Sequence, residues 1–274
     1  VLITNHKKSI SKGIDFLYKI SLKDWILHKN VILCTHIKIQ AIIKKGDCIM
    51  IINSQGFGHF VDGINNQDFG VESTRAIIIL DGCSGAKYSE VGTKLFAQVL
   101  QRKEEWDNAE KFEEKVKETF EELIQMFKKY YPTEEDLENF IVDNMSFSII
   151  ALFKTEEKFI LKVFGDGYVI TENNVGLISY IRFYYGKYPP YYVYRYCKFK
   201  PEFKEKGFKT IEFEKSKFQQ VVIATDGIMP IAKGMLKMQD KNIVNLTGRV
   251  EMEIKKSRQT FYDDVTIGAF PKGN

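Results

Sequence analysis

The stretch Ala76-Ile77-Ile78-Ile79-Leu80-Asp81-Gly82-Cys83-Ser84-Gly85 runs five apolar residues straight into a carboxylate and a glycine-bounded turn. A short, branched apolar run reads as a buried strand. The glycines after it let the backbone turn tightly and expose its carbonyls. The same pattern returns at Val221-Val222-Ile223-Ala224-Thr225-Asp226-Gly227, and two further acidic motifs stand at Asn66-Gln67-Asp68 and Tyr262-Asp263-Asp264-Val265-Thr266. A single Asp-Gly at a strand end usually makes only a turn. Several strands each delivering a carboxylate are harder to dismiss, because a buried carboxylate is costly unless it is paired or metal-bound. The pattern points to an oxygen-ligand site for hard divalent cations.

Outward from this stretch, Val71 to Leu80 reads as one strand and Cys48 to Ile52 as another. Val91, Leu95, Phe96, Val99 and Leu100 recur at helical spacing after Ser89, and Phe112, Val116, Phe120, Leu123, Ile124 and Phe127 do so within a longer helix from Asn108 to Tyr130. Thr133 is placed to cap a third helix, Glu134 to Phe140. Strands return at Ser146–Phe153, Phe159–Phe164, Tyr168–Thr171, Val221–Thr225 and Thr260–Phe270, with a helix expected from Leu246 to Ser257. The order is strands, helices, strands, helix, strand, with short turns between most strands. That favours antiparallel sheets with helices outside them over alternating βα units. Residues 1–48, with a possible helix over Gly13–Lys29 and short strands at Val31–Cys34 and Ala41–Ile43, carry no chemical motif. They are expected to be an extension packed on a catalytic domain of residues 49–274.

The 274 residues are 44% hydrophobic and 14% aromatic, which is the make-up of a folded globular chain. A net charge of +4, from 40 cationic and 36 anionic residues mixed along the chain, gives no reason to expect nucleic acid. Cys34, Cys48, Cys83 and Cys197 form no CxxC pair, which argues for reduced thiols in a cytoplasmic protein and against zinc. No apolar run reaches the ~20 residues needed to span a bilayer, so no membrane partner is expected.

Taken together, the motifs resemble a family. Asp81-Gly82-Cys83-Ser84-Gly85-Ala86-Lys87-Tyr88-Ser89-Glu90-Val91-Gly92 is similar to the Asp-Gly-x-Gly-Gly…Glu-Val-Ala segment of the 2C-type, metal-dependent serine/threonine protein phosphatases. Phe164-Gly165-Asp166-Gly167, Ala224-Thr225-Asp226-Gly227 and Asp263-Asp264-Val265-Thr266 follow in the family's order, and Ser54, Gly56, His59, Gly63 and Asn66-Gln67-Asp68 resemble a bacterial branch with a Gly-x-x-His…Gln-Asp opening. The resemblance implies an αββα sandwich, two stacked antiparallel sheets flanked on both sides by helices. It implies hydrolysis of phosphoserine or phosphothreonine on a protein substrate by a metal-activated water, with no phosphoenzyme. The cofactors would be two Mg²⁺ or Mn²⁺ ions. Asp81 would bridge them with the Gly82 carbonyl, Asp226 and Asp263 would complete the first site, and Asp68 would serve the second. Asp166 would hold a third ion, as in some relatives, or simply close a turn.

Three positions depart from the family. Gly63 stands where many relatives have a phosphate-gripping arginine, so the phosphate-binding residue is unknown, with Arg75 and Lys87 as nearby cations. Cys83 stands where some relatives have a histidine proposed as general acid, leaving His59 as the alternative, either catalytic or hydrogen-bonded at a strand end. Gln67 replaces a frequent glutamate. Cys83 heads no Cys-x5-Arg loop, and Gly56-Phe57-Gly58 lacks the third glycine of a dinucleotide fingerprint. Arg182, Arg195 and Lys198, among the rings of Tyr180–Phe203, could stack nucleobases, although a strand pair or flap with packed rings is the simpler reading. A catalytically silent binding module and a phosphatase for a small metabolite are the rival functions, and the oligomeric state is open.

Overall fold

Side-chain alternation along the strands decides which way each carboxylate faces. The computed structural model describes residues 50–185, 189–235, 252 and 258–270. The elements expected within residues 1–48, and all but Met252 of the helix expected over 246–257, lie outside the described residues. One sheet has the order β1 (Met50–Ser54), β10 (Val265–Ala269), β9 (Phe218–Ala224), β6 (Gly167–Asn173), β7 (Ile178–Phe183). The other runs β2 (Phe69–Glu72), β3 (Ala76–Gly82), β4 (Phe147–Lys154), β5 (Lys158–Phe164), β8 (Lys209–Glu214). Every neighbouring pair is antiparallel.

The two sheets bury a shared core in which Ile77, Ile79, Ile150 and Leu152 of one meet Val169, Val221 and Ile223 of the other. The intervening residues of β3 and β4 face the opposite way, toward α2 (Ser89–Leu100) and α3 (Phe112–Lys128). There Phe147 lies 5.2 Å from Phe96, and Phe153 lies 5.1 Å from Phe112. A further helix, α4 (Glu134–Met145), packs beside α2. Its first turn is capped as expected, with the Asp136 N–H donating to Thr133 Oγ1 at 3.1 Å. On the far side of the other sheet, Ile231 and Ala232 of α5 (Met229–Met235) join Ile170, Val222 and Ile267 in a separate core. The expected sandwich, with helices outside both sheets, is therefore what forms. No helix among the described residues is long and apolar enough to cross a membrane.

Local departures have local causes. The single strand expected from Val71 to Leu80 is two strands, because Ser73 Oγ accepts the Arg75 and Ala76 N–H groups and folds the chain into a hairpin. A short helix not foreseen, α1 (Phe57–Asp62), ends at Gly63, whose φ of +69° is a left-handed helix cap. Backbone geometry therefore accounts for the glycine at this position. In the aromatic segment, β7 takes Ile178–Phe183 and a 3₁₀ turn takes Tyr192–Tyr196. The Tyr192 ring is buried, 4.8 Å from Phe120, so it offers no stacking platform for a nucleobase.

Phe120 also meets Phe96 at 4.9 Å and Phe147 at 5.8 Å, joining α3 to β4 and to the 3₁₀ turn. Phe120→Ala is expected to lower unfolding free energy by about 3–5 kcal/mol, read from urea denaturation followed by circular dichroism. A loss below about 1 kcal/mol would mean that this aromatic junction is not a core contact.

Candidate metal centre

Because Ile77 and Ile79 point between the sheets, the two-residue period carries Asp81 onto the same face, at the open end of β3. Its partner in register is Ser148 on β4. The Ser148 hydroxyl donates to Asp166 Oδ1 and accepts the Asp166 N–H at 3.1 Å, fixing the β5–β6 turn beside Asp81. Strands β9 and β10 are neighbours, so Asp226, just past one, and Asp263, just before the other, emerge together. Asp68 precedes β2, and its Oδ2 accepts the Thr225 hydroxyl at 2.8 Å, while Thr225 Oγ1 accepts the Thr266 N–H at 2.9 Å. Gly82 lets this loop approach, since a Cβ there would lie 2.5 Å from the Gln67 carbonyl oxygen. Thus Asp68, Asp81, Asp166, Asp226 and Asp263 meet at one end of the sandwich, from five separate parts of the sequence.

Their charges are crowded. Burial, and then repulsion from Asp264 and other neighbours, holds the Asp68 carboxyl well above the usual range. Burial does the same to Asp81, with Asp68 and Asp226 adding to it. Burial with Asp166 and Asp263 pushes Asp226 up to about 6, against an opposing pull from Arg182. Asp166 and Asp263 are raised chiefly by burial, eased by Ser148 and Arg182 for the first and by its own backbone neighbour and His59 for the second. Among the described residues, the Arg182 guanidinium, the His59 imidazole and Lys94, which is shared between Glu90 and Asp264, cannot offset five carboxylates. The buried Gln67 Oε1 beside Asp68 also lacks a hydrogen-bond partner. This donor set, all hard oxygen and short of positive charge, fits divalent cations of the Mg²⁺ and Mn²⁺ kind.

The sequence matches the family described as protein phosphatase 2C over residues 55–256. The chain belongs to that family. No curated protein matches it in sequence. Its fold resembles a bacterial serine phosphatase with a single substitution (TM-score 0.58, 13% identity, 83% of this chain and 99% of that one). It also resembles the serine/threonine phosphatase Stp1 from Staphylococcus aureus (TM-score 0.54, 12% identity, 89% and 100%). A third likeness is to the catalytic domain of the serine/threonine protein phosphatase PstP in complex with two manganese ions (TM-score 0.53, 15% identity, 83% and 99%). At these identities the likeness is one of fold.

Around the carboxylates, this member of the protein phosphatase 2C family has features that the motifs did not foretell. Asp264 is buried, and its two oxygens accept the Gly56 N–H at 2.7 Å and the Gln67 N–H at 2.6 Å. His59, Asp263 and Asp264 bring ligand atoms within 4.8 Å of one another. With both Asp264 oxygens taken by backbone donors, we read Asp264 as a post for the loops rather than as a metal ligand. His59 Nδ1 lies 2.9 Å from Asp264 Oδ2, an ion-pair distance, yet the pair misses the in-line geometry of a hydrogen bond. The structure therefore puts His59 on α1 at the edge of the carboxylate cluster. Tyr191, also buried, lies near Cys83, Asp166 and Asp81. Burial pushes its hydroxyl far up, so it stays neutral.

Neither cation first offered in place of the missing arginine fits. Arg75 grips Asp107 with Nη2–Oδ1 at 2.6 Å and Nε–Oδ2 at 3.3 Å. It also sits before β3, six residues and roughly 20 Å of extended chain from Asp81. Lys87 is exposed, with Nζ 5.3 Å from the centre of the Tyr88 ring.

A carboxyl whose folded pKa is raised binds its proton more tightly folded than unfolded. The Asp226 contribution to stability is therefore full below pH 3.8 and is lost as pH rises through about 6. With chelator present, Tm at pH 7 is expected to lie roughly 5 °C below Tm at pH 5, and Mn²⁺ should recover the loss at pH 7. Differential scanning calorimetry in both buffers reads this directly. An unchanged Tm across that interval, with no response to Mn²⁺, would show that the carboxylates are not crowded as described.

Proposed function

We propose that this chain is a metal-dependent serine/threonine protein phosphatase that hydrolyses phosphomonoesters by direct attack of water, with no phosphoenzyme. The observation behind this reading is the convergence of five aspartates that the basic side chains among the described residues do not neutralise, within a chain of the protein phosphatase 2C family. Bound Mg²⁺ or Mn²⁺, two ions in this reading, supplies Lewis acidity toward the phosphoryl oxygens and lowers the pKa of the attacking water. Asp81 and the Gly82 carbonyl would hold both ions, Asp226 and Asp263 the first, Asp68 the second, and Asp166 a third.

The remaining work falls to the chain. Thr225 fixes the Asp68 carboxylate by one hydroxyl donor, and Ser148 orients Asp166 in the same way. The backbone N–H of Asp226 approaches Asp81 Oδ2 at 3.3 Å, which helps set the direction of that carboxylate. Rigid first-contact groups supported from behind are what a catalytic constellation requires. His59, at the rim and backed by Asp264, is positioned to exchange a proton with a leaving group entering from solvent.

The test is turnover of p-nitrophenyl phosphate with and without Mn²⁺, followed by a panel of phosphoserine and phosphothreonine peptides. Mn²⁺-dependent turnover is expected, with Asp81→Ala lowering kcat by roughly 1000-fold. Metal-independent turnover, or full activity in Asp81→Ala, would refute the assignment. Activity confined to small phosphoesters would refute the protein-substrate half of it.

A further inference from the structure

Resting on that reading, we propose that Arg182 is the phosphate-gripping residue of this site, delivered by β7 rather than by the N-terminal opening where Gly63 stands. Strand register brings it there. Tyr168 at the start of β6 pairs with Arg182 on one side and with Ala224 on the other. Asp166 lies two residues before Tyr168, and Asp226 two residues after Ala224. The end of β7 is therefore carried to the same edge of the sheet as two of the clustered aspartates. The guanidinium favours the charged form of both Asp166 and Asp226, an electrostatic sign of that proximity.

The way Arg182 is held leaves it usable. Its guanidinium lies 4.3 Å from the centre of the Tyr184 ring and 5.7 Å from that of Tyr168. Contact with ring faces steadies the group but leaves its N–H edge free to donate. Among the described residues no carboxylate or carbonyl engages that edge. The other cations considered are committed elsewhere. Arg195 donates to the Lys204 carbonyl at 3.0 Å and to the Tyr192 hydroxyl at 3.1 Å, Lys198 pairs with Glu134, and Arg75 pairs with Asp107. Arg182 is also exposed, so a substrate arriving from solvent reaches it without rearrangement of the core. A phosphate monoester seated over the carboxylate cluster presents its oxygens to a donor fork on one side, and two parallel N–H···O contacts fix its orientation.

The bland alternative is that Arg182 merely offsets carboxylate charge. The two roles separate in the lysine variant, which keeps the charge and loses the fork. Calorimetric titration of inorganic phosphate into the full chain, saturated with Mn²⁺, should give a Kd weakened about 10- to 100-fold by R182A. R182K should recover less than half of that loss on a logarithmic scale. Mn²⁺ affinity is expected to be no lower than in wild type for both variants, and KM for p-nitrophenyl phosphate should rise more than kcat falls. Wild-type phosphate affinity in R182A would overturn the proposal. So would full recovery in R182K, which would leave only a charge effect. If the wild type binds phosphate through Arg182 yet never turns over, the enzyme reading fails and this one stands. If R182A turns over with wild-type KM, this one fails and the enzyme reading stands.

Discussion

Mutual repulsion among five clustered aspartates, Asp68 buried and the other four partly so, is the constraint around which this fold is organised. Bringing like charges together out of water opposes folding, so the strands that deliver them must be held by something stronger. That something is the apolar core between the sheets, where Ile77, Ile79, Ile150, Val221 and Ile223 are almost wholly inaccessible to solvent. The residues that bury the strands and the residues that crowd the charge at their ends belong to the same few segments. The core therefore holds under tension a site that divalent cations would relax.

Much of this was legible in the linear chain, because a strand that ends in a carboxylate needs no tertiary information to be noticed. Ala76–Asp81 and Val221–Asp226 announce themselves, as do α2 and α3 through helical spacing of Phe96, Phe112 and Phe120. What could not be read depends on pairing. The hairpin between β2 and β3 rests on one serine hydroxyl in a turn without glycine or proline. The strand β8, Lys-Thr-Ile-Glu-Phe-Glu, alternates clearly but was obscured by the aromatic stretch before it. Arg182 acquires meaning only once β6 is known to lie between β7 and β9. Nothing in an Asp-Asp doublet says that Asp263 faces the cluster while Asp264 faces two loops.

Gly63 shows why motif comparison and geometry must be taken together. As a family position it marks a loss, the missing arginine. As a backbone position it is a gain, since φ of +69° closes α1 at little steric cost and so sets where His59 emerges. The opening segment has become a short helix that offers an imidazole, while the guanidinium comes from the far edge of the sheet.

The two hydrogen bonds that Asp264 accepts from the Gly56 and Gln67 N–H groups span sequence separations of 208 and 197 residues. Strand β1 likewise finds its described partner only in β10, near the other end of the domain. Both loops and the first strand thus wait for residues made some two hundred positions later. A growing chain holds no finished carboxylate cluster until β10 is made. The order of synthesis itself delays assembly of the carboxylate cluster until both halves of the domain exist.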